Sequence, residues 1–204
     1  MDGVLVDSEP LHFDVLNGIL AKSGHALDRA AYEAFIGTTT EATWAALIQR
    51  FGLPASLEAY LDHYNAALLD LFQRPHPPQP GVVSLIDRLE QQRLPLGVAS
   101  SSPRLWIDAT LGSIGLADRF ATIVSGDDVP PGQGKPAPAI YLLAAARLGV
   151  DPASCVAIED SPNGVLSAHR AGMHVIGVRT PYTAHLTLDG ADQIVDSLCG
   201  LVLT

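Results

Sequence analysis

The sequence has 204 residues, 48% of them hydrophobic, with 22 acidic side chains against 12 basic ones and a formal charge of −10. That length and apolar content suit one folded domain, or a core domain with a smaller insert, and exclude general disorder. The charge argues against nucleic acid or an anionic membrane as the main partner.

Residues 13–73 read as helices. Leu16, Ile19 and Leu20 form an amphipathic stretch that closes at Gly24. Thr40, Thr43, Trp44, Leu47, Ile48 and Phe51 repeat the pattern until Gly52-Leu53-Pro54 stops it. A third stretch carries Leu57, Tyr60, Leu61, Tyr64, Leu68, Leu71 and Phe72. The proline-rich segment 74–81 fits neither helix nor sheet interior and reads as a stiff linker.

Beyond the linker the pattern becomes strand, loop, helix, repeated. Short apolar runs at 94–99, 121–124, 155–158 and 175–178 alternate with helical patterns at 83–92, 103–114, 137–148 and 162–171. Such alternation predicts a parallel sheet with right-handed crossovers, an α/β Rossmann-like, doubly wound core. Ser102-Pro103 and Ser161-Pro162 each place a capping hydroxyl before a proline at the first helical position. In an open parallel sheet the loops after the strands leave from one rim, where ligands bind. Here those loops carry Ser100-Ser101-Ser102, Ser125-Gly126-Asp127-Asp128 and Glu159-Asp160-Ser161.

Several residues on that rim suit phosphate and metal chemistry. Asp2 and Asp7 flank a short segment in which Gly3 permits unusual backbone angles, and acids there invite a hard cation. Adjacent carboxylates at Glu159 and Asp160 repel unless a cation or a proton intervenes, and Mg²⁺ suits them. Lys135, one of only two lysines, is a compact charge held between glycine and proline. Ser100 and Ser101 offer hydroxyls and N–H groups at a helix start, a place that holds anions.

The segments Asp2-Gly3-Val4-Leu5-Val6-Asp7-Ser8-Glu9, Val98-Ala99-Ser100-Ser101, Gly134-Lys135-Pro136-Ala137-Pro138 and Ile158-Glu159-Asp160-Ser161 resemble, in order, the four motifs of the haloacid dehalogenase superfamily. The helical insert resembles that superfamily's α-helical cap. Over the whole chain the sequence is similar to the β-phosphoglucomutase-like phosphatase branch. The resemblance implies a core at 1–12 and 80–204 with a cap and linker at 13–79, the site between them, and a cap that opens and closes over substrate.

By that resemblance an Asp nucleophile forms an aspartyl phosphate, and Asp2 is the acid and base two positions later. Asp2, through its carbonyl, together with Glu159 and Asp160 would hold Mg²⁺. Lys135 would neutralise nucleophile and phosphate, Ser100 and Ser101 would bind the transferring group, and His12 near the cap hinge would assist at the substrate. The family pattern reads Asp-x-Asp-Gly after a buried strand, and this sequence starts at the middle residue, Met1. The reading therefore expects a truncated form that lacks the nucleophile and a central strand, and that cannot make the phospho-enzyme as written. The approach to Lys135 is about two residues longer than the family's usual one and Ala139 stands where an Asp often follows, so that loop is expected to shift.

The expected activity is a Mg²⁺-dependent phosphomonoesterase on a small phosphorylated metabolite such as a sugar phosphate. A phosphosugar mutase would need an arginine in the stretch Phe35-Ile36-Gly37-Thr38-Thr39-Thr40-Glu41, where Thr40 stands instead. A non-catalytic binding protein of the same fold is the remaining alternative.

The two cysteines, Cys155 and Cys199, give no disulfide framework, and Cys155 reads as a buried small hydrophobe. No apolar run approaches the ~20 residues that span a bilayer, and no secretory leader is visible. The expectation is a cytoplasmic monomer without membrane or nucleic-acid partners.

Overall fold

The computed structural model describes residues 1–36 and 38–203; Gly37, in the stretch read for an arginine, lies outside the described residues. The chain divides into two units, Ser8–Arg74 and a second made of Met1–Asp7 with Pro75–Thr204. The first boundary falls at Ser8 instead of residue 13, because the first helix starts at Glu9.

The unit Ser8–Arg74 contains α1 (Glu9–Ala21), α2 (Arg29–Glu33), α3 (Thr40–Phe51) and α4 (Leu57–Phe72). Thr39 caps α3 by accepting the Ala42 N–H at 3.2 Å, and Gly52 ends it at φ +61°. Along α4, Tyr60, Tyr64, Leu68 and Phe72 recur every fourth residue and are buried as one face. Trp44 of α3 stacks on Tyr60 at 5.1 Å between ring centres and meets Tyr64 edge-on at 5.7 Å.

In the other unit α5 (Val82–Gln91), β1 (Gly97–Ala99), α6 (Arg104–Ser113), β2 (Thr122–Val124), α7 (Ala139–Leu148), β3 (Val156–Glu159), α8 (Pro162–Arg170), β4 (His174–Val178) and β5 (Gln193–Val195) follow in turn. Every ladder is parallel, as strand–helix alternation requires. Apolar side chains of α7, α8 and the strands form one core cluster, around Ile140, Val165 and Val175. A second cluster joins Val4, α5 and β4, with Val82, Ile86 and Ile176 at its centre. Among the described residues no helix is long and apolar enough to cross a membrane.

Three details refine the expected pattern. The strands form two sheets, β1–β2 and β3–β4–β5, so that β1 and β3 are each terminal. β1 is shorter than the run 94–99, because Leu94 donates its N–H to Leu89 in closing α5, just after Arg93 turns at φ +59°. β5 was not anticipated; it is three residues long and partly exposed.

Candidate active site

Lys135 ties the two sheets together. Its Nζ donates to the carbonyl of Ala99, the last residue of β1, at 3.1 Å, and to Glu159 Oε1, at the end of β3, at 2.5 Å. It also lies 5.0 Å from the centre of the Tyr141 ring, a cation–π distance. The long approach to Lys135 therefore does not keep it from this position.

Glu159 is buried and fully engaged. Oε1 accepts from Lys135 and from the Tyr141 hydroxyl at 2.6 Å, while Oε2 accepts the N–H groups of Asp160 and Ser161 and the Ser161 hydroxyl. The Ser161 Oγ in turn caps α8 by accepting the Gly164 N–H at 3.1 Å, as the Ser-Pro pattern predicts. A Cβ on Gly164 would sit 2.0 Å from the Glu159 carboxylate, so glycine there makes room for the acid. Burial alone would raise the Glu159 carboxyl, but Lys135, the Met1 α-ammonium and the donated hydrogen bonds prevail and hold it at about 2.

Asp160 is driven the other way. Burial, with the charges of Glu159 and Asp2, pushes its carboxyl up to about 7 against the pull of the Met1 α-ammonium and Lys135. Its Oδ2 lies against the backbone of the first motif: a Cβ on Gly3, which has φ +69°, would fall 1.9 Å from that oxygen. Asp2, next in sequence, accepts the Ser102 hydroxyl on Oδ2 at 2.9 Å.

These acids fit a hard divalent cation. The Asp160 carboxylate lies against the backbone at Gly3, and its repulsion with the charges of Glu159 and Asp2 is what a cation relieves. Mg²⁺ takes one or two carboxylates and keeps several waters, which suits a pair; among the described residues no three His, Cys, Asp or Glu side chains form a ready cage. Glu159, expected beside Asp160 at the cation, carries Lys135, Tyr141 and Ser161 on its oxygens.

Ser100 is buried; its N–H donates to Val124 and its Oγ accepts the Ser102 N–H at 3.2 Å. Ser101 is exposed, and the loops after β1 and β2 close on it, since a Cβ on Gly126 would lie 2.3 Å from its carbonyl oxygen. Ser102 does not cap α6 as the sequence suggested. Its hydroxyl goes to Asp2, and Asp127 Oδ2 accepts the Arg104 N–H at 2.8 Å instead. Asp7 is exposed.

His12 belongs to the other unit, where its Nδ1 lies 2.7 Å from the Tyr64 hydroxyl and its ring meets Phe72 edge-on. Sequence reasoning missed Ser102 and Tyr141. Ser102 read as a cap, and Tyr141 was not singled out within the helical pattern 137–148. Cys155 is only half-buried, with its Sγ 3.4 Å from the Asp151 carbonyl.

The four motif segments thus converge on one edge of the α/β unit. The sequence model of the haloacid dehalogenase-like hydrolases matches residues 1–178. The chain belongs to that family. It is 34% identical over 185 residues to hexitol phosphatase B of Escherichia coli (strain K12), covering 89% of this chain and 82% of that protein. It is 30% identical over 207 residues to the validoxylamine A 7'-phosphate phosphatase of Streptomyces hygroscopicus subsp. limoneus, covering 97% and 91%. Among solved structures, a CbbY variant from Rhodobacter sphaeroides in complex with xylulose-1,5-bisphosphate superposes with a TM-score of 0.85 at 29% identity, covering 98% of this chain and 93% of that one. As a member of this family the protein is a hydrolase of the phosphatase kind.

Proposed function

We propose that the protein is a Mg²⁺-dependent phosphomonoesterase for a small phosphorylated metabolite of the sugar or polyol class, working through an aspartyl phosphate. The observation that supports this reading most is the ordered charge pattern of Lys135, Glu159, Asp160 and Asp2. Glu159 fixes Lys135, so a positive charge faces the rim beside the Asp160 carboxylate and the Asp2 backbone carbonyl, which can take a cation. Mg²⁺ held by the Asp2 backbone carbonyl with Glu159 and Asp160 would supply charge neutralisation for the phosphoryl group.

The chain's own groups divide the remaining work. The family pattern puts the phosphoryl acceptor two positions before Asp2. Asp2 gives its proton to the leaving oxygen and then takes one from water, and Ser102 holds its carboxylate in place. Lys135 stabilises negative charge on the transferring group. Ser100 accepts from Ser102 and keeps its own O–H to donate to a phosphoryl oxygen, with the Ser101 N–H beside it.

A sugar or polyol phosphate is supported by the likeness to hexitol phosphatase B and to the CbbY complex with xylulose-1,5-bisphosphate. Hydrolysis instead of mutase chemistry is supported by Thr40, which begins α3 and carries no charge for gripping a second phosphate. The test is phosphate release from a panel of sugar and polyol phosphates, with Mg²⁺ or with chelator. Residues 1–204 are assayed beside a form preceded by an apolar strand ending in Asp, and only the longer form is expected to turn over. Calorimetric Mg²⁺ titration of the wild type and of Asp160→Asn tests the cation site without turnover.

A further inference from the structure

A small cavity of about 120 Å³ opens where the chain leaves β4 and β5, within the unit that holds both strands. Val4, Val178 and Leu198, all buried, form its apolar wall, and Gln79, Arg179 and Ser197 line it beside them. Gly3 lines it as well. The same glycine lies against Asp160 Oδ2, so the cavity adjoins the rim described above.

The polar groups in this cavity are donors that the protein leaves unused. Arg88, Arg104, Arg119, Arg147 and Arg170 of the same unit each donate a side-chain hydrogen bond to the protein. Arg179 donates none among the described residues; Asp196 lies 3.7 Å from it, with the two side chains 48% and 86% exposed. The Gln79 side chain likewise has no hydrogen-bond partner among them, while its backbone N–H and C=O are taken by Leu5 and Val82. Ser197 Oγ accepts the Cys199 N–H at 3.0 Å and keeps its own O–H to give. Thr180 Oγ1 is satisfied by Thr183, and the prolines at 80 and 181 have no N–H, so Arg179, Gln79 and Ser197 are what a ligand can use.

We infer that this cavity binds the carboxylate of a short-chain carboxylic acid. A guanidinium grips a carboxylate through two parallel hydrogen bonds, and Gln79 and Ser197 can bond the lone pairs that remain. The apolar wall suits a short carbon chain. It does not suit a phosphate, whose further oxygens would face Val4, Val178 and Leu198 unpaired. The volume is that of about four waters at ~30 Å³ each, room for roughly four to six non-hydrogen atoms, acetate to lactate in size. Asp196 competes for Arg179, so the acid binds by displacing a loose, exposed ion pair. The inference rests on this cavity and not on the phosphatase reading.

The test follows the amide chemical shifts of the full chain while propionate is added at constant ionic strength, beside propionamide, its neutral counterpart, and inorganic phosphate. Propionate should move the amides of Arg179, Thr180 and Ser197 along a saturable curve, and propionamide and phosphate should leave them in place. Arg179→Gln should weaken propionate about 10- to 100-fold, the value of hydrogen bonds to a charged group. Asp196→Asn removes the competitor and should tighten it about two- to fivefold. Arg93→Gln, an arginine outside the cavity, should change nothing. If Arg179→Gln does not fold, Asp196→Asn decides. Shifts that never saturate, equal binding of propionamide or phosphate at these amides, or a propionate affinity that neither variant changes would each overturn the inference.

Discussion

Lys135 and Glu159 form a buried ion pair, Nζ to Oε1 at 2.5 Å, with side chains 11% and 5% exposed. Both ions are removed from water, so each depends on the other. Breaking such a pair from one side leaves an uncompensated charge and costs about 3–5 kcal/mol. Lys135→Met should therefore lower unfolding free energy by about that amount, read by chemical denaturation, and should also abolish phosphate release in the active form. A Lys135→Met protein as stable as the parent would show that the pair does not hold the rim.

Tyr141 supplies the second donor to the same oxygen, at 2.6 Å. Tyr141→Phe keeps the ring against Lys135 and removes only the hydroxyl. The expected loss is about 1.5–3 kcal/mol, the range for hydrogen bonds to charged groups. Ser102→Ala tests the neighbouring relationship. It should leave stability nearly unchanged while kcat falls more than KM changes, because it frees the Asp2 carboxylate to turn, and Ser102→Thr should restore most of the rate.

Gly3 joins the first motif to Asp160. Alanine there meets a left-handed backbone, at about 1–2 kcal/mol, and a Cβ position 1.9 Å from Asp160 Oδ2. Gly3→Ala should weaken Mg²⁺ binding in calorimetry as Asp160 is pushed aside. The control is Gly132→Ala, also at positive φ but with open space around its Cβ, which should leave Mg²⁺ affinity as it was.

Acid stability should depend on a third group. Arg147, with Ser125 assisting through N–H and hydroxyl, holds the Asp128 carboxyl well below the usual carboxylate range. A carboxyl depressed in the folded state adds stability above its unfolded pKa of about 4 and loses it as pH falls below that. Asp128→Asn should thus flatten the fall in melting temperature between pH 5 and pH 2. The effect is modest, because the pair is partly exposed.

Helix boundaries were readable where local chemistry sets them. Thr39, Gly52 and Ser161 act on backbone groups a few residues away, so their signals are complete in a short window. The charged residues of the site were readable as types, since burial of Glu159 and Asp160 after an apolar strand demands compensation. Their division of labour was not. The bonds that Lys135 and Tyr141 make to Glu159 were not legible, because those residues arrive from 24 and 18 residues away. Ser102 looked like a cap because its partner, Asp2, is 100 residues distant in sequence.

The central claim is that Asp2, Lys135 and Asp160 form a phosphomonoesterase site. It is tested most directly by phosphate release from hexitol and sugar phosphates, using the form preceded by an apolar strand ending in Asp, beside its Asp2→Asn variant. The account predicts Mg²⁺-dependent release that chelator abolishes, reduced about 10²–10⁴-fold by the substitution. A folded protein that releases no phosphate from any member of the panel, or an Asp2→Asn variant as fast as its parent, would contradict it.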